Sequence, residues 1–187
     1  MTAAAEVDGR RERGLRRRRA LLDAAARVIA RDGIASLTHR SVAAEAGLPK
    51  SAATYYFASL DDLLVAALLD GTEHYARDLA ATIPDGGGLA ELARHAAAYL
   101  TEHRDRCLAA YELYLLAARR PELREAALSW PRLARSIAAR HTSDPAAIAA
   151  FVAAIDGLSM QALLTNEPLD ADTLHAVLRR TLDGPLA

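Results

Sequence analysis

The chain has 187 residues, of which 52% are hydrophobic and 25% are charged. Alanine and leucine dominate while β-branched and aromatic residues are sparse, which favours helices over strands. A single cysteine, Cys107, excludes an internal disulfide, and the start MTAAAEVDG lacks the apolar segment of a secretory signal. We therefore expect a cytoplasmic protein. Because no run of about 18 uncharged apolar residues is present, we also expect no membrane-spanning helix and no membrane partner.

The formal net charge of −1 hides an uneven distribution. Residues 1–60 hold eleven basic and six acidic side chains, a net charge of +5, whereas residues 61–187 hold twelve basic and eighteen acidic ones, a net charge of −6. Seven arginines lie in RRERGLRRRR, residues 10–19. This distribution indicates that only the first part of the chain meets a polyanion. A charge run near a terminus is also typical of a solvated tail or helix face.

The apolar residues recur with a helical period, and a sustained period of two occurs nowhere, so we predict an all-α fold. A first helix is predicted to end near Gly33, which can take the left-handed cap conformation. Thr38 is the predicted cap of the next helix, which Gly47 ends. A second short helix begins after Pro49 and is predicted to end near Tyr56.

A long helix and several further helices are predicted beyond this point. Ser59 and Asp62 have the spacing of a capping box, and they begin a helix that runs toward Ile83, where the sequence PDGGG (residues 84–88) ends it. We predict further helices over residues 89–104, 106–119, 121–140 with an interruption at Trp130-Pro131, 145–165 after an Asp144 cap, and 172–182.

Two short helices joined by a glycine-containing turn and packed on a preceding helix are typical of a helix-turn-helix, whose second helix can enter the DNA major groove. In GLPKSAATYYF (residues 47–57), small side chains allow close approach to base edges. The chain's only lysine, Lys50, and the tyrosine hydroxyls can reach phosphates or bases. We expect Phe57 to pack inward and Tyr55 to face the DNA backbone. The alternative is a three-helix packing unit that touches no DNA.

Residues 21–64, LLDAAARVIARDGIASLTHRSVAAEAGLPKSAATYYFASLDDLL, resemble the DNA-binding region of TetR-family transcriptional regulators. The shared features are an alanine pair on the first helix, a glycine before the threonine cap, a Val-Ala-x-x-Ala-Gly turn, and an aromatic-Phe-x-Ser sequence before a long helix. The resemblance implies an all-helical homodimer that binds double-stranded DNA and holds a small-molecule effector in a variable C-terminal domain. It favours a repressor that leaves a palindromic operator when the effector binds.

The resemblance also implies which residues contact DNA. Thr38 and Tyr55 correspond to phosphate contacts, and Arg40 corresponds to a residue that reads or flanks a base. On the second short helix, Lys50 likewise corresponds to a residue that reads or flanks a base, and Ser51 and Ala52 would face the groove. We also predict that Thr54 and Tyr56 of this helix contact DNA.

Three positions depart from the family pattern. The family often has glycine at the position of Ser51, tyrosine at that of Thr54, and a phosphate-binding lysine at that of Leu60. The first two departures leave the predicted fold unchanged, but the operator sequence cannot be inferred from the family. The third removes an expected phosphate contact, which the arginine-rich N-terminal arm could replace by binding phosphates or the minor groove.

We predict three segments: a flexible basic arm over residues 1–19, a DNA-binding domain over residues 20–60, and an effector-binding and dimerisation domain over residues 61–187. The long helix that begins at Ser59 belongs to both domains, so it can transmit a displacement. A mostly apolar effector is predicted to enter between helices that carry aromatic side chains and the cysteine, although such residues equally fit an ordinary core. The predicted pocket residues are Tyr75, Tyr99, Cys107, Tyr111, Tyr114 and Trp130.

Dimer contacts are predicted near the C-terminus. Small residues over 144–166 permit close approach of another helix, and the last predicted helix has an apolar side. We therefore predict partner contacts at Ile155, Gly157, Leu174 and Leu178. The alternative is that both apolar stripes are used in the core of their own chain.

Other chemistry is weakly supported. His103 and Cys107 lie about one turn apart, but two ligands without a third and fourth fall short of a zinc site, so we predict no metal and no cofactor. No nucleophile elbow, phosphate loop or HExxH sequence is present, so we predict that the chain is not an enzyme. The alternative function is that of a helical DNA-binding interaction protein that senses no small molecule.

Overall fold

The computed structural model of the chain describes residues 3–83 and 87–183, and these residues form ten α-helices and no strand. The all-α prediction is confirmed. In chain order the helices are α1 (Ala3–Asp32), α2 (His39–Glu45), α3 (Lys50–Tyr56), α4 (Leu60–Thr82), α5 (Leu89–Glu102), α6 (Arg104–Ala117), α7 (Arg124–Ala127), α8 (Ser129–Ala138), α9 (Pro145–Thr165) and α10 (Ala171–Leu182).

Local signals set the helix boundaries around the helix-turn-helix. α1 ends where Gly33 adopts a φ of 77°, a conformation that favours glycine. The hydroxyl of Thr38 accepts a hydrogen bond of 3.0 Å from the N–H of Ser41, and the hydroxyl of Ser59 accepts one of 3.0 Å from the N–H of Asp62. These bonds satisfy helix N–H groups that have no partner inside the helix, so both predicted caps are confirmed.

The region around α7 and α8 differs from the sequence prediction. The helix is interrupted at Leu128, two residues before the predicted site at Trp130-Pro131. Pro131 is the third residue of α8, where a backbone N–H would have no helical acceptor, so proline is tolerated there. The PDGGG sequence (residues 84–88), which was predicted to end the long helix, falls partly on residues 84–86, and these lie outside the described residues.

α1 is longer than the sequence analysis predicted. The helix begins at Ala3, so the described part of the basic segment is the first half of α1 and not a separate arm. The physical reason is composition, because arginine, glutamate, alanine and leucine all favour helix. The side chains of Glu12 and Arg16 also form an ion pair of 3.2 Å between residues four apart, which supports the helix.

The buried residues form two hydrophobic cores. The first core joins α1–α4 to α6 and α7, and its fully buried side chains include Leu21, Ile29, Val42, Leu63 and Leu113. The second core joins α5, α8, α9 and α10. The three-helix module therefore shares its core with α6 and α7 of the C-terminal region.

α9 is more apolar than we expected. Its most apolar stretch of 18 residues has a mean hydropathy of 1.8, and the helix carries one charged residue, so by length and composition it could cross a membrane. No run of about 18 uncharged apolar residues is present, because Asp156 interrupts α9, but the alanine-rich sequence still gives the helix a high mean hydropathy without large side chains. Core helices of soluble proteins pass the same test, and α9 packs into the second core through Phe151 and Ile155. Only 28% of the apolar window is buried, so the helix also has an open apolar face.

Candidate DNA-binding surface and ligand cavity

α2 and α3 form a helix-turn-helix whose geometry is fixed by a few short-range contacts. The turn contains Gly47 at a φ of 64°. The N–H of Leu48 donates a hydrogen bond of 2.9 Å to the carbonyl of Ala43. His39 Nε2 lies 2.8 Å from the carbonyl oxygen of Phe57, which joins the start of α2 to the end of α3. α3 is therefore held at a set angle to α2 with its outer face free.

The predicted DNA-contact residues lie at the start of α2 and along α3, and they differ in exposure. Phe57 is 2% exposed and packs inward as predicted, whereas Tyr55 is 81% exposed. The ring of Tyr56 lies edge-on to that of Tyr55 at 5.0 Å and packs against the first core. The exposed predicted residues are Thr38, Arg40, Lys50, Ser51, Thr54 and Tyr55, while Ala52 and Tyr56 are half-buried.

Polar contacts fix the helix-turn-helix relative to the rest of the chain. Glu45 of α2 accepts hydrogen bonds from Arg27 at 2.8 Å and from Arg31 at 2.9 Å, both on α1. The N–H of Ile34 donates a 2.9 Å hydrogen bond to the carboxylate of Glu112 on α6. A movement of α6 could therefore be transmitted to the helix-turn-helix through this hydrogen bond, in addition to transmission through α4.

A cavity of about 110 Å³ lies between α4, α5, α6, α8 and α9, where the two cores meet. The structure brings all six predicted pocket residues together in its wall: Tyr75, Tyr99, Cys107, Tyr111, Tyr114 and Trp130. Tyr114 is 40% exposed, so the wall that it forms reaches the surface. The wall also contains polar residues that were not predicted from the sequence, which are Thr72, Arg106, Ser129, Asp156 and Ser159.

Aromatic side chains stack around Tyr75 at one end of the cavity. Its ring meets those of Tyr99 at 4.8 Å and Trp130 at 5.2 Å, both edge-to-face. Burial raises the pKa values of Tyr75, Tyr99 and Tyr111 above that of free tyrosine, so all three hydroxyls stay neutral. These three side chains therefore give the cavity neutral aromatic surface with hydroxyl groups.

Asp156 supplies a carboxylate to this aromatic wall. The indole N–H of Trp130 donates a hydrogen bond of 2.7 Å to its Oδ1, and the hydroxyl of Tyr111 lies 3.4 Å from the same atom. Burial raises the pKa of Asp156, while these two neutral donors partly offset the shift. The sequence did contain a signal, because Asp156 is the only charged residue among the 21 residues of α9.

Arg106 and Cys107 form another part of the wall. The guanidinium of Arg106 forms an ion pair of 2.5 Å with Asp70 of α4 and a second ion pair with Asp23 of α1. Burial raises the pKa of the Cys107 thiol to about 12, so the side chain is a protonated, unreactive thiol. The ring of His103, considered above as a zinc ligand with Cys107, instead packs at a tilt against that of Tyr99, with 4.5 Å between the ring centroids. Among the described residues, no group of three or more potential ligands could hold a metal ion.

The predicted dimer residues fall into two groups. Leu174, Leu178 and Ile155 are 0%, 1% and 7% exposed and lie in the second core, so they contact their own chain and cannot form the surface for a partner. The reason is that α10 packs against α5, which the sequence pattern could not reveal. Gly157 is exposed on α9, with no atom within 4 Å of the position of a Cβ.

The fold and surface together define a helix-turn-helix transcription regulator with a ligand-binding domain. Residues 21–67 match the sequence model of bacterial regulatory proteins of the tetR family, and residues 84–184 match that of the tetracyclin repressor-like C-terminal domain. The chain belongs to the TetR family, whose members are DNA-binding regulators.

Solved structures agree with this assignment. SCO1917, a TetR-family member from Streptomyces coelicolor A3, is 43% identical over 91% of this chain and 99% of its own, with a TM-score of 0.78. The multidrug binding protein EbrR complexed with ethidium is 44% identical over 88% of this chain and 97% of its own, with a TM-score of 0.71. EbrR complexed with malachite green is 43% identical over 90% and 98%, with a TM-score of 0.72. A search of curated proteins finds no match.

Proposed function

We propose that the chain is a cytoplasmic, dimeric repressor that leaves a palindromic operator when a flat aromatic cation binds in the cavity. The observation that carries the proposal is Asp156, a partly buried carboxylate among aromatic rings. Within residues 3–83 and 87–183, the groups that hydrogen-bond its side chain are a neutral indole and a neutral hydroxyl. A carboxylate in such surroundings favours a cationic ligand, which would stabilise its charged form.

The rings around Asp156 support the same ligand class. Tyrosine and tryptophan faces attract cations and stack on planar aromatic systems, each interaction contributing on the order of 1 kcal/mol. The EbrR structures contain ethidium, malachite green and proflavin, which are organic cations with extended aromatic systems. The identity of 43 to 44% between this chain and EbrR supports a ligand of that chemistry.

The size of the cavity suggests how binding would weaken operator binding. At about 110 Å³ it is smaller than the roughly 300 to 1,000 Å³ of typical ligand pockets, so a three-ring cation has to move the surrounding helices apart. α4 and α6 form much of the wall, and both also contribute to the core beneath the DNA-binding module. Ligand binding would therefore favour a conformation with an altered spacing between the two α3 helices of a dimer.

The dimer would form through the open face of α9. Residues spaced along one side of this helix are exposed and small or apolar, namely Ala146, Ala149, Ala153, Gly157, Met160 and Leu164. Small side chains allow two helices to approach closely, and burial of the face would explain its hydropathy. Two α3 helices related by a twofold axis then read an inverted repeat whose half-site centres are about one helical turn, or a multiple of it, apart.

The test has two stages. Operator sequences are first selected from genomic DNA fragments bound by the wild-type protein. The affinity for the selected operator is then measured by fluorescence anisotropy at increasing concentrations of malachite green, ethidium or proflavin, after direct binding of each dye has been measured calorimetrically. We expect each cation to lower operator affinity at least about tenfold, a coupling of about 1.4 kcal/mol.

Ethidium and proflavin also intercalate into DNA, so a control must separate this effect from binding to the protein. Asp156→Asn provides it, because dye acting on DNA alone would release wild type and variant equally. Release of both proteins at the same dye concentration would contradict the proposal. Cation binding without any change in operator affinity would favour the alternative function, DNA binding without small-molecule sensing.

A further inference from the structure

The first half of α1 precedes the residues that match the tetR-family sequence model. The match to the tetR-family model begins at residue 21, whereas α1 begins at Ala3. Residues 11–19 contain six arginines, one glutamate and one large apolar residue, Leu15, and all six arginines are exposed. We name residues 11–19 the basic extension. A helix with charge on every side and no apolar stripe is poorly suited to a membrane surface, which requires such a stripe.

One face of the basic extension continues the face of α1 that packs on the module. Leu22 and Ala25 are buried in the first core, and Arg18, Gly14 and Arg11 precede them at intervals of three or four residues. Residues at this spacing share one side of an α-helix. Arg11 and Arg18 therefore lie on the side of α1 that faces α2 and α3.

Contacts at the end of α3 confirm this orientation. The guanidinium carbon of Arg18 lies 5.5 Å from the centroid of the Phe57 ring. A Cβ on Gly14 would lie 3.6 Å from the hydroxyl oxygen of Tyr56. The same turn of α3 carries the exposed Tyr55, a proposed phosphate contact. The face of the basic extension that carries Arg11 and Arg18 is thus adjacent to the last turn of the proposed reading helix.

We propose that the basic extension is a second DNA-binding surface, in which Arg11 and Arg18 bind backbone phosphates that flank the half-site read by α3. The inference rests on the proposed operator binding and adds the residues that lie outside the family module. Seven residues of helix place the two arginines about 10 Å apart along the axis, about three base-pair steps of 3.4 Å, so they can contact separate phosphates. They would also compensate for Leu60, where the family often has a phosphate-binding lysine.

Matched double variants test whether DNA binding depends on which face of the basic extension carries the arginines, and not only on their total charge. Arg11→Gln with Arg18→Gln removes two charges from the side that faces α3, and Arg13→Gln with Arg17→Gln removes two charges from the far side of the same helix. Operator affinity is measured for each protein between about 50 and 200 mM salt, where the slope of log affinity against log salt falls by about 0.9 for each lost phosphate contact. We expect the first pair to lower the slope by nearly 2 and the second pair to lower it by less than half as much.

Two further measurements sharpen the result. In hydroxyl-radical footprints, the DNA backbone outside the half-site should lose protection only with the double variant Arg11→Gln with Arg18→Gln. The preferred base sequence should stay the same. Because Arg18 stacks on Phe57, thermal melting checks that the double variant is folded. The single variant Arg11→Gln, whose side chain is exposed, should lower the slope by about 0.9 on its own.

Equal slope changes for the two double variants would overturn the proposal, because the extension would then act only as diffuse positive charge. Unchanged slopes would overturn it as well. If the wild type selects no operator, the proposed function is wrong, but the phosphate contacts of the basic extension can still be tested. The same salt slopes are then measured on a mixed-sequence duplex, where phosphate contacts persist without base readout. Tighter binding of the wild type to anionic phospholipid vesicles than to either duplex would also contradict a DNA surface.

Discussion

Arg106, in the wall of the cavity, forms an ion pair with Asp23 on α1 of the DNA-binding module. The same guanidinium pairs with Asp70 of α4 at 2.5 Å, and its side chain is only 15% exposed. One cation is therefore shared by the cavity wall, the long connecting helix and the module that carries α3. A ligand that displaces α6 has to stretch or break these pairs, so they couple the two sites physically.

The first prediction concerns this coupling. Asp23→Asn should reduce the effect of a bound cation on operator affinity from about tenfold to less than about threefold, because one of the two links from Arg106 is weakened. Asp23 does not line the cavity, so dye affinity without DNA should stay within about twofold of the wild-type value. Glu45→Gln is the matched control, since it breaks α1 ion pairs inside the module. An unchanged coupling in Asp23→Asn would show that the ion pairs do not transmit it.

The second prediction is a pH dependence of cation binding. Burial raises the pKa of Asp156, and a bound cation stabilises the ionised form, so affinity should rise with pH through this pKa and binding should release protons. Calorimetry in buffers of different ionisation enthalpy measures the released protons. Asp156→Asn should abolish the dependence and weaken cations by roughly 10- to 100-fold, as expected for a loss of about 1.5 to 3 kcal/mol.

The same pKa shift has a consequence for the stability of the unliganded protein. Because the pKa of Asp156 is higher in the folded than in the unfolded chain, its contribution to stability is present below the unfolded pKa and is lost as pH rises through the folded value. Near neutral pH, Asp156→Asn should therefore melt at a higher temperature than the wild type. A lower melting temperature would indicate that the hydrogen bonds from Trp130 and Tyr111 outweigh the cost of burial.

The third prediction distinguishes two contacts on α3. Tyr55→Phe removes a hydroxyl from a proposed phosphate contact, so it should weaken specific and mixed-sequence duplexes alike, by about 1 kcal/mol or more. Lys50→Ala should lower the salt slope by about 0.9 if it binds phosphate, or relax one base position by about 1 to 3 kcal/mol if it reads a base. Wild-type binding by both variants would reject the proposed placement of α3 in the groove.

The fourth prediction concerns the open face of α9. Leu164 is 80% exposed, so Leu164→Glu combined with Ala153→Glu should leave the fold stable but give monomers in sedimentation experiments at micromolar concentration. Leu178→Glu serves as the contrast, because a charge at this fully buried position should unfold the chain and not merely separate protomers. A stable dimer of the α9 variant would place the partner surface elsewhere.

Features determined by neighbouring residues could be predicted from the sequence. Thr38, Ser59 and Asp144 each cap a helix through contacts with residues two or three positions away, and the predicted ends of the helices beyond α4, except around α7 and α8, agree with the structure within two residues. The aromatic cavity residues could also be named from the sequence, because the chain has few aromatic side chains and these five lie on four of the predicted helices.

Features that depend on long-range packing could not be predicted in this way. An apolar stripe shows that a face of α10 is buried but not what covers it, so Leu174 and Leu178 were assigned to a partner when α5 of the same chain covers them. Asp23 and Arg106 are 83 residues apart, and no local pattern connects them. Asp156 was visible as a lone acid in an apolar helix, but its role depends on Trp130 and Tyr111, which lie on other helices.

Each chain has this cavity between its own helices. The proposed dimer would therefore have two ligand sites, and a singly occupied dimer would already hold one of its two α3 helices out of position. Since firm binding to an inverted repeat requires both halves, one occupied site should largely free the operator. The regulated gene would then begin to respond at ligand concentrations below the dissociation constant, with a dose–response curve no steeper than simple saturation.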